Sequence, residues 1–297
     1  MSIFTGSGVA LVTPFNENNE VNYEKVRELI EYHISEGTDS IIICGTTGEA
    51  STLDDLEHRA LIKFAVEVTD KRVPVVAGTG SNDTHHGVQL SKYAEEVGAD
   101  ALLCVTPYYN KTSQEGLYRH FKAVAEAVKI PIILYNVPSR TGMGFTVETV
   151  KRLREFDHII GMKDASGDIS YATELMRQIP DLDLYSGNDD IIVPMLSIGG
   201  KGVISVVANI MPKQTHNIVD LFNNGFTAEA LTLQLSMNKL INTLFIDVNP
   251  VPVKTAMNIL GFGVGALRLP LCEMKEADND YLNSVLNEYQ LKESSYE

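Results

Sequence analysis

The sequence predicts an α/β fold, a (β/α)8 TIM barrel with a C-terminal helical extension. Three observations support this prediction. Eight short apolar runs rich in Val and Ile occur at roughly even spacing, which is typical of strands buried on both faces of a parallel sheet. Stretches with helical periodicity lie between the runs. The chain beyond residue 224 has helical periodicity and no ninth run.

The apolar runs give the order of the predicted strands. They cover residues 8–12, 40–44, 73–77, 101–105, 131–135, 159–162, 182–185 and 202–206. Alternation of strands with helices favours an α/β fold, and eight evenly spaced strands favour a closed barrel over an open sheet. Such a barrel needs ~250 residues, sometimes fewer. The chain has 297 residues, which leaves room for the extension.

The helices are predicted from apolar residues that recur at helical spacing, first at 22–36 and 54–68. Thr52 and Asp55 lie three positions apart and predict a capping box at the start of the second helix. We assign residues 1–224 to a catalytic barrel and 225–297 to a helical domain. The later helices are expected at 211–224, 228–245, 251–260 and 278–289.

Composition and charge exclude several classes of function. The chain has 39 acidic and 24 basic residues and a net charge of −15, so it should repel nucleic acid. No apolar run approaches the ~18 residues of a membrane span. The N-terminal sequence lacks the pattern of a secretory signal, so we expect a cytoplasmic protein. The three scattered cysteines predict reduced thiols, and no ligand spacing predicts a metal site.

The active site of a barrel lies at the carboxyl ends of its strands, which makes Lys163 the main catalytic candidate. Among the lysines, only Lys163 directly follows a predicted strand on that side. Partial burial there would lower the pKa of its amine and provide a neutral nucleophile for Schiff-base formation. The alternative is a structural lysine that extends to solvent or pairs with Asp164.

Other strand ends offer groups that could bind an anion. The sequence GTTGE at residues 45–49, named here the GTTGE loop, has consecutive backbone N–H groups that could hold a carboxylate or phosphate. A plain tight turn is the alternative for this loop. Arg140 is the one arginine in the loops at this end of the barrel, and an anionic substrate would need such a group.

Five motifs taken together resemble the dihydrodipicolinate synthase and N-acetylneuraminate lyase superfamily. They are GTTGE, TPYYN at 106–110, YNVPSRTG at 135–142, the lysine at 163, and NPVPVK at 249–254. The resemblance runs from residue 8 to about residue 270. It implies a lyase whose Lys163 forms a Schiff base with pyruvate, so that an enamine attacks an aldehyde. It implies no metal and no organic cofactor.

The resemblance also implies roles for individual residues. Tyr135, Thr47 and Tyr109 would form a proton relay, with Tyr135 beside the imine and Tyr109 at the solvent end. In the family the counterpart of Tyr109 comes from the neighbouring subunit, so we expect a homo-oligomer built from a tight dimer, with a homotetramer as the full assembly.

The substrate contacts follow in the same way. The resemblance implies that the backbone N–H groups of Thr46 and Thr47 hold the carboxylate of pyruvate. Arg140 would bind the carboxylate of the second substrate, and Gly187 and the carbonyl of Ile204 would line the cavity.

By resemblance, the residues at three places favour the synthase branch of the superfamily. That branch uses L-aspartate-4-semialdehyde in lysine and diaminopimelate biosynthesis. These residues are Thr46 followed by Thr47, Tyr109, and Arg140, where the neuraminate lyases usually differ. The alternative is another Schiff-base pyruvate aldolase, which acts on a 2-keto-3-deoxy sugar acid or on hydroxyoxoglutarate. A non-catalytic barrel that senses pyruvate, lysine or a sugar acid is a further alternative.

Some members of the family are inhibited by lysine, which binds at the dimer interface. The matching contacts for such an allosteric lysine site are Ser51, His58, Asn82 and Tyr108. The chain departs from the inhibited pattern at Ala50, Asp55 and His86. Loss of an acid at position 86, opposite the ammonium of the ligand, should weaken binding by ~1–3 kcal/mol. We therefore expect weak or absent inhibition by lysine.

Overall fold

A computed structural model of the chain describes residues 2–291 and confirms the predicted barrel. Eight parallel strands pair in sequence order, and β1 pairs with β8 to close the ring. The strands are β1 (Gly6–Ala10), β2 (Ser40–Ile43), β3 (Val75–Gly78), β4 (Ala101–Val105), β5 (Ile132–Asn136), β6 (Ile159–Asp164), β7 (Asp183–Ser186) and β8 (Gly202–Ser205). Each corresponds to one predicted apolar run.

Helices follow the strands and surround the ring. They are α1 (Tyr23–Ser35), α2 (Asp55–Thr69), α3 (Thr84–Glu96), α4 (Gln114–Ala125), α5 (Pro138–Thr141), α6 (Val147–Leu153), α7 (Ile169–Gln178), α8 (Ile192–Ser197) and α9 (Pro212–Asn223). Three more helices follow the last of these: α10 (Thr227–Thr243), α11 (Val251–Ile259) and α12 (Glu276–Glu288). Helix α10 packs on α8 and α9, and α12 packs on α10 and α11.

Two separate apolar cores result from the alternation of side chains along the strands. In β5, Leu134 belongs to the larger core between the strands and the helices, whereas Ile133 and Tyr135 belong to the smaller core inside the barrel. Tyr185 of β7 and Ile204 of β8 also belong to the inner core. The same alternation places Lys163 of β6 inside the barrel, because its neighbour Met162 packs in the outer core.

The ends of several elements differ from the predicted ones. Strand β1 begins at Gly6 rather than at residue 8, and β6 extends to Asp164, so Lys163 lies within the strand instead of following it. Apolarity alone missed this end because Asp164 pairs with Asn136 of β5 in the strand register. The predicted capping box was wrong: Asp54 caps α2, and its partner is Glu57, so the N-cap lies two residues later than the predicted Thr52.

The predicted extension of residues 225–297 contains α10, α11 and α12, while residues 292–297 lie outside the described part of the chain. The division of the chain at residues 224 and 225 stays a prediction. Within residues 2–291, no helix has the length and apolarity needed to cross a membrane.

Candidate active site

Lys163 lies near the carboxyl end of β6, and its side chain is held inside the barrel. The residue is 6% exposed. Strand register places Tyr135 of β5 on one side of it and Tyr185 of β7 on the other. The Lys163 Nζ atom lies 4.5 Å from the centre of the Tyr135 ring. A lysine and a phenol therefore meet at the end of the barrel where sequence analysis expected the chemistry.

Asp164 has partners other than Lys163. Its carboxylate accepts hydrogen bonds from the Asn136 Nδ2 atom and the Ser166 Oγ atom, both at 2.7 Å. Burial raises the pKa of this carboxyl group. No ion pair joins Lys163 to Asp164 in the described structure, so the alternative of a lysine neutralised by its neighbour is not what the fold contains.

The GTTGE loop follows β2 and contains two backbone donors without acceptors. The N–H groups of Thr46 and Thr47 donate to no protein atom within residues 2–291, whereas the next two N–H groups of the loop donate to carbonyls within it. The loop is further fixed by Thr13, whose hydroxyl donates to the Gly48 carbonyl at 2.6 Å. Adjacent free N–H groups on a rigid loop can bind a carboxylate.

Strained backbone occurs on both sides of the GTTGE loop. Cys44 has φ 57° and Glu49 has φ 54°, both in the left-handed region. Side chains other than glycine adopt this region at a cost of ~1–3 kcal/mol each, and surrounding contacts must hold them there. Such contacts exist at Glu49, which is 2% exposed.

Glu49 is held by two residues of the helical extension, Lys254 and Arg268. Its Oε1 atom accepts a hydrogen bond from the Lys254 Nζ atom of α11 at 2.7 Å, and the side chains of this ion pair are 0% and 1% exposed. Its Oε2 atom accepts from the backbone N–H of Arg268 at 3.0 Å. The Arg268 guanidinium in turn binds Glu57 through two bonds of 2.6 and 2.7 Å.

These anchors were missed by sequence reasoning, which noted the NPVPVK segment but assigned it no role. A signal existed, since Lys254 stands in the apolar stretch VPVKTAM. A lysine in such a stretch is expected to be buried only with an acidic partner. The sequence could not identify Glu49 as that partner.

Arg140 lies on the short helix α5, directly after β5, and its side chain is exposed at the mouth of the barrel. Its Nη2 atom donates to the backbone carbonyl of Asn249 at 3.0 Å. The side chain of Asn249 donates from Nδ2 to the Thr47 Oγ1 atom, also at 3.0 Å. One residue of the helical extension therefore contacts both the predicted relay threonine and the predicted carboxylate-binding arginine.

Tyr109 is separated from the other predicted relay residues within one chain. It is 92% exposed and has φ 68°, a left-handed backbone that is rare for tyrosine. No hydrogen bond joins Thr47 to Tyr135 or to Tyr109 among residues 2–291. The single chain thus places Tyr135 beside Lys163 and presents Tyr109 outward.

Gly187 directly follows β7, and Ile204 lies in β8. Gly187 donates its N–H to the Asp164 carbonyl at 2.7 Å, and a Cβ atom there would lie 2.6 Å from the Cβ of Ala165. A larger residue at 187 would therefore push on the segment that follows Lys163. Asp189 is buried, and its carboxylate accepts hydrogen bonds from the backbone N–H groups of Val206 and Val207. Burial raises the pKa of this carboxyl group.

A cavity of about 370 Å³ opens at this end of the barrel. Its lining includes Thr46, Tyr135 and Arg140. Within residues 2–291, no group of three or more His, Cys, Asp or Glu side chains is placed to hold a metal ion. A buried lysine, a phenol, two free N–H donors and a guanidinium are suited to the covalent capture of a 2-keto acid.

Three of the four candidate lysine contacts, Ser51, His58 and Tyr108, line the same cavity. Asn82 does not appear in the lining and instead donates from Nδ2 to the Tyr108 carbonyl at 3.1 Å. Burial lowers the pKa of His58, and its Nε2 atom lies 2.8 Å from the Gly78 carbonyl.

Two of the three residues that depart from the lysine-inhibited pattern, Asp55 and His86, contact each other. The Asp55 carboxylate lies 2.8 Å from Arg59 Nε and 3.1 Å from His86 Nε2. The hydrogen bond from Arg59, followed by the one from His86, lowers the pKa of Asp55. Asp55 therefore already has two basic partners and is poorly placed to replace the missing acid.

Comparisons with known proteins agree with the fold. The model of the dihydrodipicolinate synthetase family matches residues 3–289. A 4-hydroxy-tetrahydrodipicolinate synthase from Acetivibrio thermocellus is 58% identical over 290 residues, which are 97% of this chain and 98% of the relative. The crystal structure of dihydrodipicolinate synthase from Aquifex aeolicus has a TM-score of 0.95 at 44% identity and covers 97% of this chain and 99% of its own.

A further match is the chloride-inhibited dihydrodipicolinate synthase from Acinetobacter baumannii, whose structure contains pyruvate. It has a TM-score of 0.95 at 43% identity, and the alignment covers 98% of this chain and all of the other. The match to the family model covers nearly the whole chain, and the similar relatives align over nearly their full length. The chain belongs to the dihydrodipicolinate synthetase family.

Proposed function

We propose that the chain is a lyase that condenses pyruvate with L-aspartate-4-semialdehyde, in the biosynthesis of lysine and diaminopimelate. The observation that carries the proposal is the buried amine of Lys163 beside the Tyr135 ring, at the catalytic end of the barrel. The relatives that bear the corresponding name, at 53–58% identity, support the same reaction.

The first half of the reaction uses Lys163 as a nucleophile. Its neutral amine attacks the ketone carbon of pyruvate, and loss of water gives an iminium. The free N–H groups of Thr46 and Thr47 hold the carboxylate of pyruvate, so that the ketone lies over the amine. The iminium withdraws electrons from the methyl group. The methyl group loses a proton, and the iminium becomes an enamine.

The proton transfers are assigned to a relay of Tyr135, Thr47 and Tyr109. Tyr135 lies next to the amine that forms the imine, which is the position required of the group that exchanges protons with the intermediate. The family resemblance implies that a neighbouring subunit supplies the third member in each site, and the nearly full exposure of Tyr109 in the single chain is consistent with this. We therefore propose a homo-oligomer, built from a tight dimer and assembled as a tetramer.

The second half of the reaction uses Arg140. The enamine carbon attacks the aldehyde carbon of the semialdehyde, whose carboxylate binds the guanidinium at the cavity mouth. The amine of that substrate then attacks the iminium carbon, and Lys163 leaves as a free amine while the ring closes. Gly187 and the carbonyl of Ile204 are the remaining proposed substrate contacts, and neither lines the cavity of the single chain. Neither a metal nor an organic cofactor takes part, and the reaction takes place in the cytoplasm.

Condensation and covalent trapping test the proposal together. Wild-type protein should convert both substrates in an assay coupled to NADPH-dependent reduction of the product. With pyruvate and borohydride, peptide mass analysis should find the reduced adduct on Lys163. Lys163→Met should lose both activities. Lys201→Met is the matched control, since Lys201 precedes β8 at the opposite end of the barrel, and it should keep both.

Two results would change the assignment. A pyruvate adduct that persists in Lys163→Met would refute the assignment of Lys163 as the nucleophile. Trapping without condensation, in protein that cleaves a 2-keto-3-deoxy sugar acid, would favour the alternative aldolase. Arg140→Ala should impair use of the semialdehyde and leave trapping of pyruvate largely intact. Wild-type rates in both the condensation assay and the trapping assay would refute the role of Arg140.

A further inference from the structure

We propose that Asn249 is a positioning residue, which orients the hydroxyl of Thr47 and so fixes the direction of proton transfer. This inference rests on the proposed function and deepens it. The Asn249 Nδ2 atom donates to the Thr47 Oγ1 atom at 3.0 Å, and both residues are buried. They lie 202 positions apart in the chain, so the contact depends on the tertiary fold.

The contact determines where the hydroxyl hydrogen of Thr47 can point. A threonine hydroxyl has one hydrogen to donate and two lone pairs to accept with. Asn249 occupies one lone pair, which leaves one lone pair and one hydrogen for two further partners. That is the complement that a relay between two tyrosines needs, because Thr47 must accept a proton from one phenol while it donates its own to the other.

Asn249 is itself held firmly in place. Its backbone carbonyl accepts the Arg140 Nη2 bond at 3.0 Å. Helix α11 begins two residues later and is anchored by Lys254, which donates to Glu49 at the end of the GTTGE loop. The donor and the hydroxyl that it orients therefore belong to two segments that a buried ion pair joins.

The other half of the Asn249 amide supports a functional role. Its Oδ1 atom is buried and has no hydrogen-bond partner among the described residues. Buried polar atoms are usually paired, so this oxygen is open to a donor that the described residues do not supply. The orientation of the amide therefore leaves Oδ1 without a partner and directs the N–H group at Thr47.

Two substitutions distinguish a donor from an acceptor at this position. Asn249→Asp keeps an acceptor and removes the donor, so its carboxylate would turn the Thr47 hydrogen away from the relay. Asn249→Ala removes both and leaves the hydroxyl free to rotate. The readout is the rate at which the methyl protons of pyruvate exchange with deuterium in D2O, followed by NMR without the second substrate.

We expect the exchange rate to fall by about tenfold in Asn249→Ala and further in Asn249→Asp. The tenfold loss is smaller than the ~100-fold or more that a complete loss of general acid–base catalysis would cause. The dissociation constant for pyruvate should stay within about twofold of wild type, because the carboxylate is held by backbone N–H groups. Exchange at the wild-type rate in either variant would overturn the proposal, and so would faster exchange in Asn249→Asp than in Asn249→Ala. Thermal unfolding checks that each variant is folded.

A double substitution tests whether Asn249 acts through Thr47. In a Thr47→Val background, Asn249→Ala should change the exchange rate little, because the oriented group is gone. An unchanged tenfold effect would refute the positioning role. The wild-type protein separates the two levels of inference: if it neither exchanges nor traps pyruvate, the proposed function fails, whereas normal wild-type exchange with insensitive variants refutes only the role of Asn249.

Discussion

Replacing Lys254 with methionine removes the cation of the buried ion pair that anchors the GTTGE loop. The Lys254 Nζ atom donates three hydrogen bonds, to the Thr13 carbonyl at 3.0 Å, to Glu49 at 2.7 Å and to the Ala266 carbonyl at 2.7 Å. It also lies 4.4 Å from the centre of the Phe15 ring. Burial lowers the pKa of this ammonium, so the charge depends on Glu49 for its stabilisation.

The expected loss can be derived from these contacts. Methionine fills a similar volume but leaves the Glu49 carboxylate buried with one remaining donor, the N–H of Arg268. Removing one partner of a buried ion pair costs ~3–5 kcal/mol, because an uncompensated charge stays in the interior. Urea denaturation at one protein concentration should show this loss in Lys254→Met. Lys63→Met, which removes an exposed lysine, is the control and should change stability little.

The double variant separates charge from packing. Glu49→Gln combined with Lys254→Met removes both charges, so it should be more stable than Lys254→Met alone. A loss below ~1 kcal/mol in the single variant would refute the reasoning. A double variant no more stable than the single would refute it as well. The single variant should also raise the KM for pyruvate, since the loop that we propose to hold the carboxylate loses its anchor.

Three further predictions concern other contacts. Lysine should inhibit the enzyme weakly or not at all, because His86 stands where an acid is needed; strong inhibition at sub-millimolar lysine in the condensation assay would contradict this. Asp39 raises the pKa of His216 above 6.5, so the stabilisation is full below that pH and is lost as pH rises through the raised pKa. The urea midpoint of His216→Gln should therefore lie further below wild type at about pH 5 than at about pH 9. Asp54→Ala should cost ~1 kcal/mol as the loss of a helix cap, and a larger loss in Thr52→Ala would contradict that assignment.

The strands could be predicted because a parallel barrel buries both faces of every strand. Val and Ile at successive positions therefore mark each strand directly. The ends could not be predicted to the residue, since polar residues extend the ladder where a side-chain partner satisfies them. Asp164 does so at the end of β6 by accepting from Asn136. The same effect brought Lys163 inside the strand.

The candidate site divides in a similar way. The rule that strand ends form the site made Lys163 and the GTTGE loop candidates, each with a structural alternative, and the family resemblance added Tyr135. The contacts that fix these groups come from the helical extension, where Asn249 and Lys254 meet residues about two hundred positions earlier. Spacing and periodicity describe local structure and contain no information on such distant pairs.

The position of these anchors in the chain has a consequence for biosynthesis. A ribosome completes all eight strands at Ser205, well before it adds Lys254 and Arg268. A nascent chain at that stage contains Lys163, but its GTTGE loop lacks the contacts from Lys254 and Arg268. The GTTGE loop therefore gains its buried ion pair only after nearly the whole polypeptide has emerged, and a shortened product that ends soon after β8 would lack that anchor.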